Sequence, residues 1–206
     1  MRSRNNQGLL IVLSGPSGSG KDTVLGELCK TGDNLELSVS LTSRVQRPWE
    51  FDGTHYYFVS REYFEEKIAA GEMLEYTQYN NNYYGTPKTS IDEWLAQGKT
   101  VILKIEVEGA KNIREIYPDC VTVFLLPPSL EVLSQRLFRR ESEGEAEIAR
   151  RTDIARREIA RSGEYDYVIL NDVLDYAVAD FRAIIRAECQ RSGRQNKLIE
   201  EVLKSC

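Results

Sequence analysis

Apolar residues along this chain fall into short continuous runs, separated by longer stretches in which they recur every three or four positions. Residues 9–13, Leu-Leu-Ile-Val-Leu, form such a run and read as a strand buried on both faces. Val24, Leu25 and Leu28 follow at helical spacing. Residues 35–40 alternate and predict a second strand; residues 55–59 predict a short one from their β-propensity. Residues 61–70 predict an amphipathic helix with Tyr63, Phe64 and Ile68 inward, stopped at Gly71. Residues 73–76 and 82–85 flank the polar turn Asn80-Asn81-Asn82, a hairpin signal. A helix over 87–97, a core strand over 100–106, a helix over 109–116 and a buried strand over 120–126 follow. Ser129 is placed to cap a helix that turns Leu130, Val132, Leu133 and Leu137 inward. Residues 167–170 predict the last strand. A helix from near Val173 then buries Val178, Phe181, Ile184 and Ile185, and Leu198, Ile199 and Val202 continue a helical pattern. This alternation predicts an α/β protein, a parallel sheet with helices on both faces. A small, tyrosine-rich, partly antiparallel insertion interrupts it at residues 41–87.

Composition narrows the class. The chain has 206 residues, enough for one compact domain that buries roughly two-thirds or more of its unfolded surface. A net charge of −5 argues against a general nucleic-acid or anionic-membrane binder. No apolar run approaches the ~20 residues of a membrane span, and no signal-peptide core precedes the first strand, so a cytoplasmic protein is expected. Cys29, Cys120, Cys189 and Cys206 lack metal-like or redox-like spacing and predict reduced thiols. A single histidine, His55, leaves little for a histidine-based triad or metal site. The sequence leaves the oligomeric state open, a homo-oligomer included.

Candidate chemistry concentrates on Gly15-Pro16-Ser17-Gly18-Ser19-Gly20-Lys21. Strand, glycine-rich turn and helix is the context of a phosphate-binding loop, whose curled backbone points several N–H groups at one anion. Lys21 adds a point charge for the outer phosphates of a nucleotide. Asp22 departs from the motif, which has Ser or Thr there to meet Mg²⁺; Thr23 follows. Asp22 either ligates the metal or its waters, or repels the phosphates. Arg44 and Arg47, three apart on a polar segment ended by Pro48, invite a second anion. A third arginine-rich stretch includes Arg136, Arg139, Arg140, Arg150 and Arg151. Most of it reads as a solvated helix with Glu–Arg pairs, but the break at residues 142–144 lets two helical arms present arginines together, as a closing lid would. Phosphoryl transfer needs this positioning and positive charge, and needs no dedicated base when the acceptor is already a phosphate.

Residues 14–21 and 38–48 resemble those of the guanylate kinases. So do Leu74-Glu75-Tyr76, Asn82-Tyr83-Tyr84-Gly85-Thr86-Pro87, Ile105-Glu106-Val107-Glu108-Gly109, Pro127-Pro128-Ser129 and Asn171-Asp172. The resemblance spans essentially the whole chain in order. It implies transfer of the γ-phosphate of ATP to GMP with Mg²⁺, with ATP and GMP as partners. It also implies a core (1–40, 88–137, 158–206), a GMP-binding subdomain (41–87) and a lid (138–157). Gly15 to Thr23, with Arg136, Arg140 and Asn171, match the ATP side. Arg44, Arg47, Tyr56 and Tyr84 match residues that hold the GMP phosphate, and Ser40, Glu75 and Thr86 those that read guanine. Glu106 matches an acid near metal and guanine, and Arg140 and Arg151 match lid arginines over the phosphates. Lys21, Arg44, Arg140 and Arg151 are the catalytic candidates, with Asp22 a candidate metal contact. Lys104 stands where the family has an acid, so Asp22 and Lys104 are expected to compensate each other. The Arg139-Arg140-Glu141 run replaces an arginine flanked by glycines, which implies a stiffer hinge. The rival readings are a non-catalytic guanylate-kinase-like binding module, against which Lys21 argues, and a same-fold kinase for another acceptor, against which Glu75 and Ser40 argue.

Overall fold

A computed structural model of the chain describes residues 8–30, 34–79, 81–88, 91–140 and 145–205, with only the backbone at 139, 140 and 145–147. Its centre is β1 (Leu9–Ser14), every residue of which is buried, as a continuous apolar run in a parallel sheet requires. Around it lie β2 (Leu35–Ser38), β7 (Thr100–Lys104), β8 (Val121–Leu126) and β9 (Tyr167–Leu170), all parallel, in the order β2-β7-β1-β8-β9. Alternate residues of β1 feed two cores. Leu9, Ile11 and Leu13 pack with Val24, Leu25, Leu28 and Phe181, while Leu10 and Val12 pack with Ile91, Leu103 and Ile113. The first core sits under α1 (Lys21–Cys29) and α7 (Leu174–Glu188). The second sits under α3 (Ile91–Ala96) and α4 (Val107–Ile116).

Between β2 and α3 the chain builds a second, mixed sheet of β3 (Leu41–Thr42), β4 (Tyr57–Phe58), β5 (Met73–Tyr79) and β6 (Asn82–Pro87), ordered β4-β3-β6-β5. The β5–β6 hairpin is antiparallel, and Asn81 at its tip has a positive φ of 61°. Helix α2 (Arg61–Ala69) is capped by Ser60 Oγ, which accepts from the Tyr63 N–H, and buries Phe64 against Leu41, Met73 and Tyr83. Two antiparallel helices, α5 (Leu130–Arg140) and α6 (Glu145–Ala160), stand over the carboxyl end of the main sheet; Ser129 Oγ caps α5 by accepting from the Val132 N–H. Helix α8 (Asn196–Leu203) ends the chain. Among the described residues no helix is long and apolar enough to cross a membrane.

Several expectations need correction. Tyr63 is largely exposed, because α2 covers only a three-residue core that Phe64 already fills. Pro87 ends β6 opposite Met73 instead of opening a helix; the hairpin pairing carries further than its apolar pattern, and α3 begins at Ile91. The short strand at 55–59 shrinks to Tyr57–Phe58. The break at residues 142–144 lies outside the described residues. Of the cysteines, Cys29 is exposed, Cys120 buried and Cys189 half-buried, all free thiols.

Candidate active site

The glycine-rich segment turns sharply from the end of β1 into α1. Gly20 takes φ 98°, a left-handed conformation, and a Cβ there would collide with the Asn171 amide. Lys21 Nζ donates to Gly15 O (2.5 Å) and Pro16 O (3.2 Å), which lays the ammonium across the loop. Three distant segments brace the same loop. Asn171 Nδ2, just past β9, donates to Ser19 O (2.7 Å). Arg136 on α5 reaches Ser19 O and Asn171 O (3.4 and 3.3 Å), and Arg151 Nη2 on α6 donates to Ser17 Oγ (2.9 Å). Ser19 Oγ is buried and meets no hydrogen-bond partner among the described residues. Thr23 is exposed on α1, and the side chain of Arg140 lies outside the described ones.

At the tip of the second sheet, Arg44 forms a two-pronged ion pair with Glu50, Nη2 to Oε1 at 2.7 Å and Nη1 to Oε2 at 3.0 Å. The Arg47 N–H also donates to Glu50 Oε2 (2.9 Å). Burial opposes both charges. It is outweighed by the pairing with Glu50 and the nearby Tyr84, so the Arg44 pKa rises; the Glu50 carboxyl falls below the usual carboxylate range by the same bonds. The Arg47 guanidinium sits 5.8 Å from the Trp49 ring centre. Tyr56 packs edge-on to Tyr84, and Arg44 lies 5.7 Å from the Tyr56 ring centre.

Glu75, on β5 directly opposite Thr86 on β6, is buried, and Thr86 Oγ1 donates to its Oε1 at 2.7 Å. A Cβ on Gly109, in the first turn of α4, would stand 2.6 Å from Glu75 Oε2, so the helix approaches this carboxylate more closely than any other residue type allows. Burial pushes the Glu75 pKa up to about 7 against the Thr86 bond, and the charge of Glu106, at the N-cap of α4, adds to the rise. Ser40, Tyr56, Glu75, Tyr84, Lys104 and Glu106 line one small cleft. The structure thus places the expected Ser40, Glu75, Tyr56 and Tyr84 on one cleft, with Thr86 bonded to Glu75 and Arg44 beside Tyr56, while Arg47 is not among the residues lining it.

Lys104, at the end of β7, is buried beside this cleft. Its Nζ donates to Asp22 Oδ1 (2.8 Å) and His55 O (3.2 Å) and lies 4.4 Å from the Tyr56 ring centre. The expected pairing of Asp22 with Lys104 is present as a direct ion pair across the site. Two site carboxylates were not singled out from sequence. Glu50 lies in a loop between Trp49 and Phe51, where nothing but the fold distinguishes a buried acid from a solvated one. Glu158 sits inside the charged run of α6 and has a buried Oε2 without a hydrogen-bond partner among the described residues. Burial, then the charge of Glu106, lifts its pKa to about 7 against the pull of Lys21. Tyr79 on β5 is likewise raised by burial, then by the charges of Glu158 and Glu106.

Comparison with known proteins extends the match beyond these motifs. The family model described as guanylate kinase matches residues 7–188. The chain is 46% identical to a guanylate kinase of Clostridioides difficile, over 96% of this chain and 97% of that one. It is 49% identical to that of Lactococcus lactis, over 94% and 93%. The crystal structure of guanylate kinase from Anaplasma phagocytophilum superposes with a TM-score of 0.82 at 31% identity, covering 98% of this chain and 96% of that one. Agreement that runs from end to end, and not over the phosphate loop alone, makes this chain a member of the guanylate kinase family.

Proposed function

We infer that the protein transfers the γ-phosphate of ATP to GMP, giving ADP and GDP. One observation carries this reading. A cleft with a buried, Thr86-bonded carboxylate at its base opens next to the phosphate loop, with Lys104 touching both sides. Guanine presents adjacent N1–H and N2–H donors, which one ionised Glu75 accepts together. Adenine offers an acceptor at N1 and would leave the buried charge unpaired. Ser40 and Thr86 border the same base site. Arg44, Arg47, Tyr56 and Tyr84 hold the acceptor phosphate, and Glu50 fixes the direction of the planar Arg44 fork.

On the donor side the loop from Gly15 to Thr23 cradles the ATP phosphates, with Arg136 and Asn171 bracing it. A non-bridging oxygen of the GMP phosphate attacks the γ-phosphorus in line and the ADP oxygen leaves. Lys21, Arg44, Arg140 and Arg151 neutralise the charge on the transferring group. Residues 138–157 act as a lid over it, against a core of 1–40, 88–137 and 158–206 and an acceptor lobe of 41–87; its closure excludes water from the γ-phosphate. The donor set suits Mg²⁺, since Asp22 lies in the first turn of α1 beside Lys21 with its side chain 38% exposed, and this ion takes one or two carboxylates along with phosphates and water. Asp22 would hold the ion, directly or through its waters, and the ion when bound would neutralise the donor phosphates. The cytoplasm, where ATP and GMP are available, suits this reaction.

The test is ADP formation from ATP and Mg²⁺ with GMP, AMP, CMP or UMP offered separately. Turnover with GMP alone is expected. Turnover with another monophosphate would discard the Glu75 assignment, and none with any would favour a non-catalytic binding module.

A further inference from the structure

Two cations flank the Tyr56 ring, and each has its own carboxylate. Arg44, 5.7 Å from the ring centre, is paired with the buried Glu50 on its own loop. Lys104, 4.4 Å from the same centre, is paired with Asp22 on α1. The two arrangements differ in chemistry. Arg44 is held by both prongs of its fork, so its direction is fixed. Lys104 is a point charge on a flexible four-carbon stem, held by one carboxylate oxygen and one carbonyl. Its carboxylate partner is more than a third exposed and therefore solvated, so the pair is easily exchanged for a better anion. A phosphate bound at the Tyr56 hydroxyl would be such an anion, with two charges where Asp22 has one.

We propose that Lys104 is a further binding residue for the acceptor phosphate, an ammonium kept beside the Tyr56 ring by Asp22 and transferred to the monophosphate when it arrives. This rests on the reading that Arg44, Arg47, Tyr56 and Tyr84 form the acceptor-phosphate site. The same contacts make Lys104 the link between the donor loop and the acceptor lobe, because Asp22 follows the phosphate-loop lysine and His55 and Tyr56 belong to the second lobe. GMP would thus loosen Lys104 from Asp22 and leave that carboxylate available to the donor side.

The experiment compares GMP with guanosine by calorimetry at pH 8, at fixed salt and without ATP or divalent cation. The ratio of the two dissociation constants isolates what the phosphate adds. Lys104→Met should lower that ratio about tenfold, the usual loss when a charged hydrogen bond is removed, and leave guanosine binding within twofold. Asp22→Asn should keep or raise the ratio. A ratio unchanged in Lys104→Met overturns the proposal, as does a ratio lowered equally by Asp22→Asn, which would make the pair structural. If Lys104→Met also loses guanosine, the double variant, which leaves no unpaired charge, carries the same comparison. A parent protein that binds GMP no better than guanosine overturns the acceptor-site reading itself, and this inference with it.

Discussion

At the scale of single residues, the site is a set of charges whose burial is decided by their neighbours. Glu75 illustrates the consequence. Its folded pKa of about 7 stands above the usual carboxylate range because burial disfavours the charge. Between that range and about 7 the folded protein holds a proton that the unfolded chain has released, so this group's contribution to stability falls as pH rises through the window. The base recognition proposed above has the opposite slope, since only an ionised Glu75 would accept both guanine donors. Guanosine affinity, measured without a phosphate that would itself titrate, should rise several-fold from pH 6 to pH 8 and be flat in Glu75→Gln. A flat parent profile would mean that Glu75 is already ionised or does not touch the base. The phosphate loop and the Arg44–Arg47 pair were legible in the sequence as spaced motifs, whereas Glu75 and Thr86 were picked out only by the resemblance to the guanylate kinases. Glu50 and Glu158 were not, because a lone carboxylate carries no local mark of burial; that mark exists only once Arg44 or α6 is packed.

At the scale of elements, the phosphate loop is held by residues from three others. Asn171 after β9, Arg136 on α5 and Arg151 on α6 all reach it, and Gly20 is the residue type that leaves room for Asn171. Asn171→Ala removes the 2.7 Å bond to a buried carbonyl and opens space beside the loop. It should cost about 1–3 kcal/mol in urea unfolding and weaken ATP more than GMP. An equal loss for both nucleotides would show that the brace serves the whole fold and not the loop. The strands and helices of the main sheet were readable because a parallel sheet buries both faces and leaves continuous apolar runs. The second lobe was read less well. Its core is Leu41, Phe64 and Met73 with a few half-buried neighbours, too small to impose a clear period on α2 or to mark where β6 ends.

At the scale of the whole molecule, the proposed donor and acceptor sites belong to different sheets and meet at Lys104 and Asp22. Two ligands that close such lobes on each other should stabilise more together than apart. Either alone, at about a hundred times its Kd, adds about 2.7 kcal/mol, or about 5–10 °C in Tm for a chain of this size. GMP with an ATP analogue that cannot transfer its phosphate should exceed the sum of the single shifts. Shifts that merely add would describe two independent sites and no closure.

The central strand has one more implication, for how the chain is made. Residues 9–14 leave the ribosome well ahead of their two partners, β7 and β8, the nearer of which pairs Leu9 with Thr100, about ninety residues later in synthesis. Until then the most apolar strand of the protein has no neighbour on either edge, and the loop that follows it lacks Asn171, Arg136 and Arg151. The segment that defines the enzyme is therefore translated before its partners and becomes competent only after them, and in the interval it is a candidate for chaperone capture rather than for nucleotide.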